Sequence, residues 1–454
     1  MTLPLATPPT DRIESSRTSH ALARLLRPFA AVEPDEAVSV ALLTLTVFLL
    51  LLGYYLLKTA REPLILLHGG AEVKSYASAG QSLLLLVLLP AYAALARRMG
   101  RLKLLLYVYG FFISNLLVFE LLLRANVEIG VAFYLWVGVF NYTAIAQLWS
   151  FANDIYTPEQ GQRLFAILGI GSSVGAVAGA FVAKRLASFG PGAMLAGAAA
   201  ILLCVVLLVA VVDRREAAPR QALDTQPEAP PLEGPVLKSL LQDKYLLWIA
   251  LLMLLVNCVN STGEYLLDRT LLDALRHGGQ SSHDAMREVG QFKADYFGWV
   301  NIVGVLLQLF AVSRIMRVLG VRRTLFVLPL VALLSYGFML ATPVLALIRL
   351  GKIAENSLDY SVQNTARQAL FLVGTRAEKY LGKTVIDTFM VRAGDVLSAT
   401  LVFGGNALHL PIAAFALLNL GMIACWLLVL VGLGREHARR DAALALAGPV
   451  RSGA

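Results

Sequence analysis

Apolar runs of roughly 20 residues recur along this 454-residue chain from Val38 to Gly434, and no other feature restricts its fold so sharply. Each run is long enough to cross a hydrocarbon core ~30 Å thick. Inside lipid no water satisfies the backbone, so a spanning run must close its hydrogen bonds within itself, as a helix. Composition agrees, with 57% hydrophobic and 15% charged residues against about a quarter charged in soluble domains.

The runs fall at about 38–58, 78–97, 104–123, 130–152, 164–184 and 191–212, then at 245–267, 295–316, 323–341, 344–367, 384–405 and 410–433. The expected fold class is therefore an all-α membrane protein of about twelve transmembrane helices in two six-helix bundles, residues 38–212 and 245–434. Between them, 213–244 gathers Pro219, Pro227, Pro230, Pro231 and Pro235 among acids and bases, the composition of a flexible linker. Residues 1–37 and 435–454 read as cytoplasmic tails. The first carries Arg12, Arg17, Arg24 and Arg27 but lacks the apolar stretch of a signal peptide.

The formal charge of +9 is no nucleic-acid footprint, because the cations sit in short connectors. Arg97, Arg98, Arg101 and Lys103 follow segment two; Arg214, Arg215 and Lys238 follow six; Arg314, Arg317, Arg322 and Arg323 follow eight; Arg376, Lys379 and Lys383 follow ten. With Arg435, Arg439 and Arg440 in the tail, the positive-inside rule places both termini in the cytoplasm of an inner-membrane protein. The connectors after segments two and eight, Arg98-Met-Gly-Arg-Leu-Lys103 and Arg317-Val-Leu-Gly-Val-Arg-Arg323, also resemble one another. They are similar to the basic glycine-containing loops of the major facilitator superfamily, whose halves are parallel repeats. That resemblance implies a central cavity lined by segments one, four, seven and ten.

Ionisable groups cost roughly 2.5–3.5 kcal/mol each at the bilayer centre on insertion scales, so they face a cavity or a partner. Those four segments are the polar ones. Segment one ends in Tyr54, Tyr55, Lys58, Arg61 and Glu62; segment four carries Asn141, Tyr142, Gln147, Asn153 and Asp154; segment seven has Asn257, Asn260, Ser261, Glu264 and Asp268. In segment ten Arg349, Lys352, Asn356, Asp359, Gln363 and Arg367 recur at steps of three or four, one face of an α-helix. Segment eleven adds Asp387, Arg392 and Asp395. The plainer reading is that such charges clamp helices or reach the interface, with Lys352, Glu355 and Asp359 neutralising one another.

Other patterns exclude function classes. Gly171, Gly175 and Gly179 make a smooth stripe for helix packing; the spacing does not fit a dinucleotide-binding turn and no strand precedes it. Gly382-Lys383-Thr384 imitates a phosphate loop, but the required upstream glycine is Ala377. Cys204, Cys258 and Cys425 each sit in an apolar run, which indicates no disulfide framework. No nucleophile–base pair or metal-ligand spacing stands out, so no enzyme chemistry and no cofactor are expected.

Three stretches resemble the ATP/ADP antiporters of intracellular bacteria and plastids, a nucleotide transporter family. They are Tyr54-Tyr-Leu-Leu-Lys58-Thr-Ala-Arg61-Glu-Pro-Leu64; Phe133-Tyr-Leu-Trp136 through Trp149-Ser-Phe-Ala-Asn153 to Arg163-Leu-Phe-Ala-Ile-Leu-Gly169-Ile-Gly171; and Ala366-Arg367-Gln368-Ala369 through Gly382-Lys383-Thr-Val-Ile-Asp387. The resemblance implies nucleotide exchange, with Lys58 matching the family's first functional lysine and Glu264 its segment-seven acid. The acid expected in segment four falls at Val137 and the cation expected in segment eleven at Asp395, with Arg392 one turn away.

The expectation is thus a transporter of an anionic metabolite, a nucleotide among the candidates, acting by alternating access as a monomer in the bilayer, with no nucleic-acid partner. Lys58, Arg61, Tyr142, Asn153, Asn260, Arg349, Lys352, Asn356, Arg367 and Arg392 are the substrate-binding candidates; Glu264, Asp268, Asp359, Asp387 and Asp395 are the coupling or gating candidates. The runner-up is a proton-coupled facilitator of an unrelated small molecule or lipid. A third reading is a membrane scaffold that transports nothing.

Overall fold

The computed structural model describes residues 17–27, 30–96, 98–216, 243–277, 281–371, 383 and 386–447, and among these every regular element is helical. Most of the expected linker, together with Arg12, Arg97, Lys238, Arg376, Lys379 and Gly382, lies outside the described residues. A short amphipathic helix, α1 (Arg17–Leu26), precedes the first long one. The first bundle is built from α2 (Ala37–Ala96), α3 (Arg101–Arg124), α4 (Gly130–Ile155), α5 (Pro158–Leu186) and α6 (Pro191–Glu216). The second comprises α7 (Lys244–His277), α8 (Ser282–Leu306), α9 (Val312–Thr324), α10 (Val327–Ala341), α11 (Leu345–Leu358), α12 (Asn364–Leu370), α13 (Val391–Ala407) and α14 (Ile412–Ala447).

All twelve expected segments fall on these helices, and among the described residues eight helices are long and apolar enough to cross a membrane. The two numbers differ for physical reasons. Helix α2 holds segments one and two, doubled back at Gly70, whose φ of 78° only a residue without a Cβ adopts easily. Segment nine forms a helix of only 15 residues, α10, and segments ten and eleven are broken by π-helical turns at Asp359–Gln363 and Ile386–Met390 into helices of 17 residues or fewer. A third π turn, Leu307–Ala311, joins α8 to α9.

Packing within the first bundle follows the glycine stripe. A Cβ on Gly175 would run into the carbonyl oxygen of Phe48 and lie 2.9 Å from its Cα; Gly171 meets Thr44 and Gly179 meets Leu52 at 2.7–2.8 Å. Helix α5 therefore lies backbone-to-backbone on the first limb of α2, the close approach that small residues permit between membrane helices. Helix α5 begins with a capping box, Thr157 and Gln160 satisfying one another's backbone N–H groups.

The bundles meet where α2 and α5 face α7, α8 and α13. Gly290 and Gly298 of α8 lie against Ala187 and Ala180, 3.2 and 3.6 Å from where a Cβ would sit. At the end of the molecule carrying the start of α2, ion pairs such as Arg163–Glu36 at 2.9 Å and Arg440–Asp243 at 2.6 Å lie within one bundle. At the opposite end they cross between bundles.

Candidate functional site

The crossing ion pairs surround a cavity of about 170 Å³ between the bundles. Segments one, four, seven and ten all contribute to its wall, through Lys58, Tyr134, Glu264 and Asn356 among others. The second limb of α2 adds Lys74, Ser75 and Ser78, and α8 adds Phe297 and Val300.

Its chemistry is a network of buried charges. Because the chain reverses at Gly70, Lys74 returns to Glu62 and its Nζ donates to that carboxylate at 2.5 Å. The same Nζ donates across the bundle boundary to Asp268 at 2.6 Å. Lys293 of α8 pairs with Asp268 and lies 3.5 Å from Glu62 and 3.8 Å from Glu264. Arg61 donates to Glu62 at 3.2 Å and rests over the ring of Tyr134 at 4.4 Å. Glu264 also accepts from the Tyr296 hydroxyl at 2.5 Å and from Asn356 Nδ2 at 2.9 Å. Glu62 and Lys293 are fully shut off from solvent.

Lys58 stands apart. Among the described residues it makes no direct ion pair, and its Nζ lies over the rings of Phe297 at 4.2 Å and Tyr55 at 5.2 Å. The wall itself carries three cations (Lys58, Arg61, Lys74) and three acids (Glu62, Glu264, Asp268); Lys293, which is not part of the wall, pairs with these acids as a fourth cation and leaves the network one positive charge in excess. Cation–π contact offsets only part of the desolvation of such a charge.

Of the candidates drawn from the sequence, Lys58, Arg61, Asn260, Asn356, Glu264 and Asp268 share this cavity. Lys352 lies behind its wall, buried and donating to Asn260 Oδ1 at 2.8 Å and Glu355 at 3.0 Å. Arg392 sits over the ring of Tyr142 at 4.4 Å and 3.9 Å from Asp395, while Asp395 accepts from Ser82, Asn257 and Ser261 at 2.6–2.9 Å. Arg349 faces Asp295 at 3.8 Å, and Arg367 faces Asp359 at 3.9 Å, both away from the cavity wall. Asn153, near the end of α4, and Asp387, in the π turn before α13, are exposed and line no part of it. The single polar face expected for segment ten is divided: before the π turn Asn356 reaches the cavity while Arg349 and Lys352 do not, and beyond Leu358 the π turn adds a residue and shifts the register again.

Lys74 and Lys293 were not singled out by sequence. Both lie just outside the apolar windows, at positions a hydropathy profile assigns to connectors. The available signal was the run Asn260, Glu264, Asp268, whose four-residue steps carry a helical face beyond the window's end at 267 and call for partners there.

The model of the Major Facilitator Superfamily matches residues 43–377. The chain belongs to this superfamily. Solved structures agree at the level of fold: the nucleoside transporter NupG has a TM-score of 0.65 at 12% identity, covering 87% of this chain and 98% of that one. A bacterial homologue of the iron transporter ferroportin, in an inward-facing state, has 0.62 at 15% identity, again covering 87% and 98%. Among curated proteins, ADP,ATP carrier protein 1 of Chlamydia pneumoniae is 22% identical over 345 residues. The match spans 65% of this chain and 65% of that relative. This facilitator is thus a multi-pass membrane transporter for a small molecule.

Proposed function

We propose that this facilitator carries an anionic metabolite, a nucleotide of the ATP/ADP kind, by alternating access, holding it between the bundles at Lys58. The observation that carries the reading is Lys58, a cation on the cavity wall that makes no direct ion pair among the described residues, within a buried network holding one more cation than acids. A phosphate there would supply the missing counter-ion and accept charge-assisted hydrogen bonds from Lys58 and Arg61. The rings of Tyr55, Tyr134, Phe297 and Tyr360 line the same space and suit the face of a base. The likeness to a chlamydial ADP,ATP carrier supports the same substrate class.

At about 170 Å³ the cavity is smaller than the ~300–1,000 Å³ of ordinary ligand pockets. Entry of a nucleotide therefore needs the bundles to part. The crossing pairs of Lys74, Glu62, Asp268 and Lys293 close one end, and substrate binding shifts the balance between this state and its opposite. By the distribution of cations in the connectors, the locked end faces away from the cytoplasm and both termini are cytoplasmic. The test is uptake of radiolabelled ATP and ADP into proteoliposomes, with and without nucleotide inside. Uptake that needs internal nucleotide is the expected result; no uptake by folded, inserted protein rejects the substrate class.

A further inference from the structure

Behind the central cavity lies a second polar site that the anion-binding residues do not account for. Gly263, in the middle of α7, occupies a place where a Cβ would strike the Tyr336 hydroxyl and come within 2.9 Å of Lys352 Nζ. The missing side chain makes a notch, and an ammonium and a phenol fill it. Lys352 is 1% exposed, and its Nζ donates to Asn260 Oδ1 at 2.8 Å, to the Asn260 carbonyl at 3.4 Å and to Glu355 Oε2 at 3.0 Å. Glu355 is 4% exposed. Its Oε2 also accepts from the Tyr336 hydroxyl at 3.2 Å, whereas its Oε1 has no hydrogen-bond partner.

A small cavity of about 10 Å³ lies beside it, lined by Asn260, Glu355, Asp359 and Trp426. That is room for about one water. Asn260 lines both cavities and forms the wall between them.

We infer that Glu355 is a proton site whose occupancy sets the anion field of the central cavity, so that the anion crosses together with a proton. The inference rests on the anion reading above. With Glu355 ionised, its charge cancels that of Lys352. When a proton binds Oε1, forming one O–H bond, the carboxyl becomes neutral and Lys352 is left as a full cation directly behind Asn260. The wall then gains one positive charge, which an anion in the cavity answers. Proton and anion strengthen one another's binding by the same factor, as linkage requires.

The other titratable groups around Glu355 do not take its place. Asp359, on the same segment, lines the same small cavity, but the cation it faces is Arg367, at 3.9 Å, and not Lys352, so a proton there does not unmask the charge behind Asn260. Glu264 of α7 is held by Tyr296 and Asn356, and Tyr336 of α10 is the donor already counted. Helix α14 brings Trp426 and Asn419 to this region, neither of them ionisable. A metal cation is disfavoured by the ammonium 3.0 Å from the carboxylate, which leaves the proton as the cation that fits.

The experiment is equilibrium binding of radiolabelled ADP to the purified full-length protein across pH, for wild type, Glu355→Gln and Tyr336→Phe. Infrared difference spectra of the protonated-carboxyl band are recorded on the same samples. Wild-type affinity is expected to fall by up to about tenfold per pH unit on the alkaline side of its break. Glu355→Gln, fixed in the neutral form, keeps the high affinity, loses that fall and loses the infrared band. Tyr336→Phe removes a donor from the carboxylate and moves the break to higher pH. The nucleotide's own titration is common to all three proteins and cancels in the comparison. ADP bound by wild type and Glu355→Gln with one pH profile, or a band that survives the substitution, overturns the inference and leaves the proposed function standing. No ADP binding by any of the three folded proteins overturns the proposed function, and the inference falls with it.

Discussion

Replacing Lys74 by Met removes a side chain that donates to both Glu62 and Asp268, and so to both bundles at once. Breaking a buried ion pair costs about 3–5 kcal/mol, because a charge is stranded out of water. Here Lys293 still reaches both acids and Arg61 still reaches Glu62. That residual pairing reduces the cost to about 2–3 kcal/mol, borne by the locked state alone, since water can enter once this end opens. At about 1.4 kcal/mol per factor of ten, the open population rises roughly 30- to 150-fold. The assay uses a single cysteine at Ser78, on the cavity wall, with Cys204, Cys258 and Cys425 replaced. The rate of labelling by a membrane-impermeant maleimide, applied to the side opposite the termini, then scales with opening. Adding Asp268→Asn removes one of the two stranded acids and should restore part of the slow rate. A labelling rate in Lys74→Met equal to that of the parent would refute the reasoning, because the crossing pairs would then not hold this end shut.

Lys58→Met should weaken ADP binding roughly ten- to a hundredfold, the value of about 1.5–3 kcal/mol for a hydrogen bond to a charged group. Its melting temperature should not fall, since the lysine makes no ion pair to lose and its desolvation is only partly offset; an unchanged affinity would exclude it from the anion site. Gly175→Ala should destabilise the protein by about 1–3 kcal/mol through overpacking, read as a lower melting temperature in detergent. Gly169→Ala, where a Cβ meets nothing within 4 Å, is the control and should not lower it. Tyr55→Phe removes the hydrogen bond to Asn301 across the bundle boundary, 2.9 Å long. It should raise the Ser78 labelling rate only a few-fold, in line with about 0.5–1.5 kcal/mol for a neutral bond.

Much of this was legible in the chain because lipid leaves a spanning segment few options. Apolar length placed the helices, and polar residues in segments one, four, seven and ten pointed to the walls of the cavity. The glycine stripe announced close helix packing by size alone, while its partner, the first limb of α2, came from the structure. What stayed hidden had one cause. A hydropathy window ends a segment at its first cluster of charges, yet Lys74 and Lys293 are buried because they neutralise Glu62 and Asp268, in part across 194 and more positions in sequence. Compensation of that kind is a property of contacts, and a profile along one chain does not register it. The same limit works in reverse for Asn153 and Asp387, polar residues in apolar surroundings that turn out to face away from the cavity. In segment ten the period itself misled, since a π turn at Asp359–Gln363 is not visible in a pattern of threes and fours.

The glycines also distribute stiffness. Where α5 meets the first limb of α2, main chain touches main chain, and no side chain can change rotamer to let one helix slip along the other. Where α8 meets α5 and the turn that follows it, the facing surfaces are glycine and alanine, the alanine methyls lying only 3.2–3.6 Å from where the glycine Cβ atoms would sit. Such a surface has few knobs to catch. The first contact behaves as a weld and the second as a bearing, so strain from parting the ion pairs is delivered to the seam between bundles instead of being absorbed inside either one.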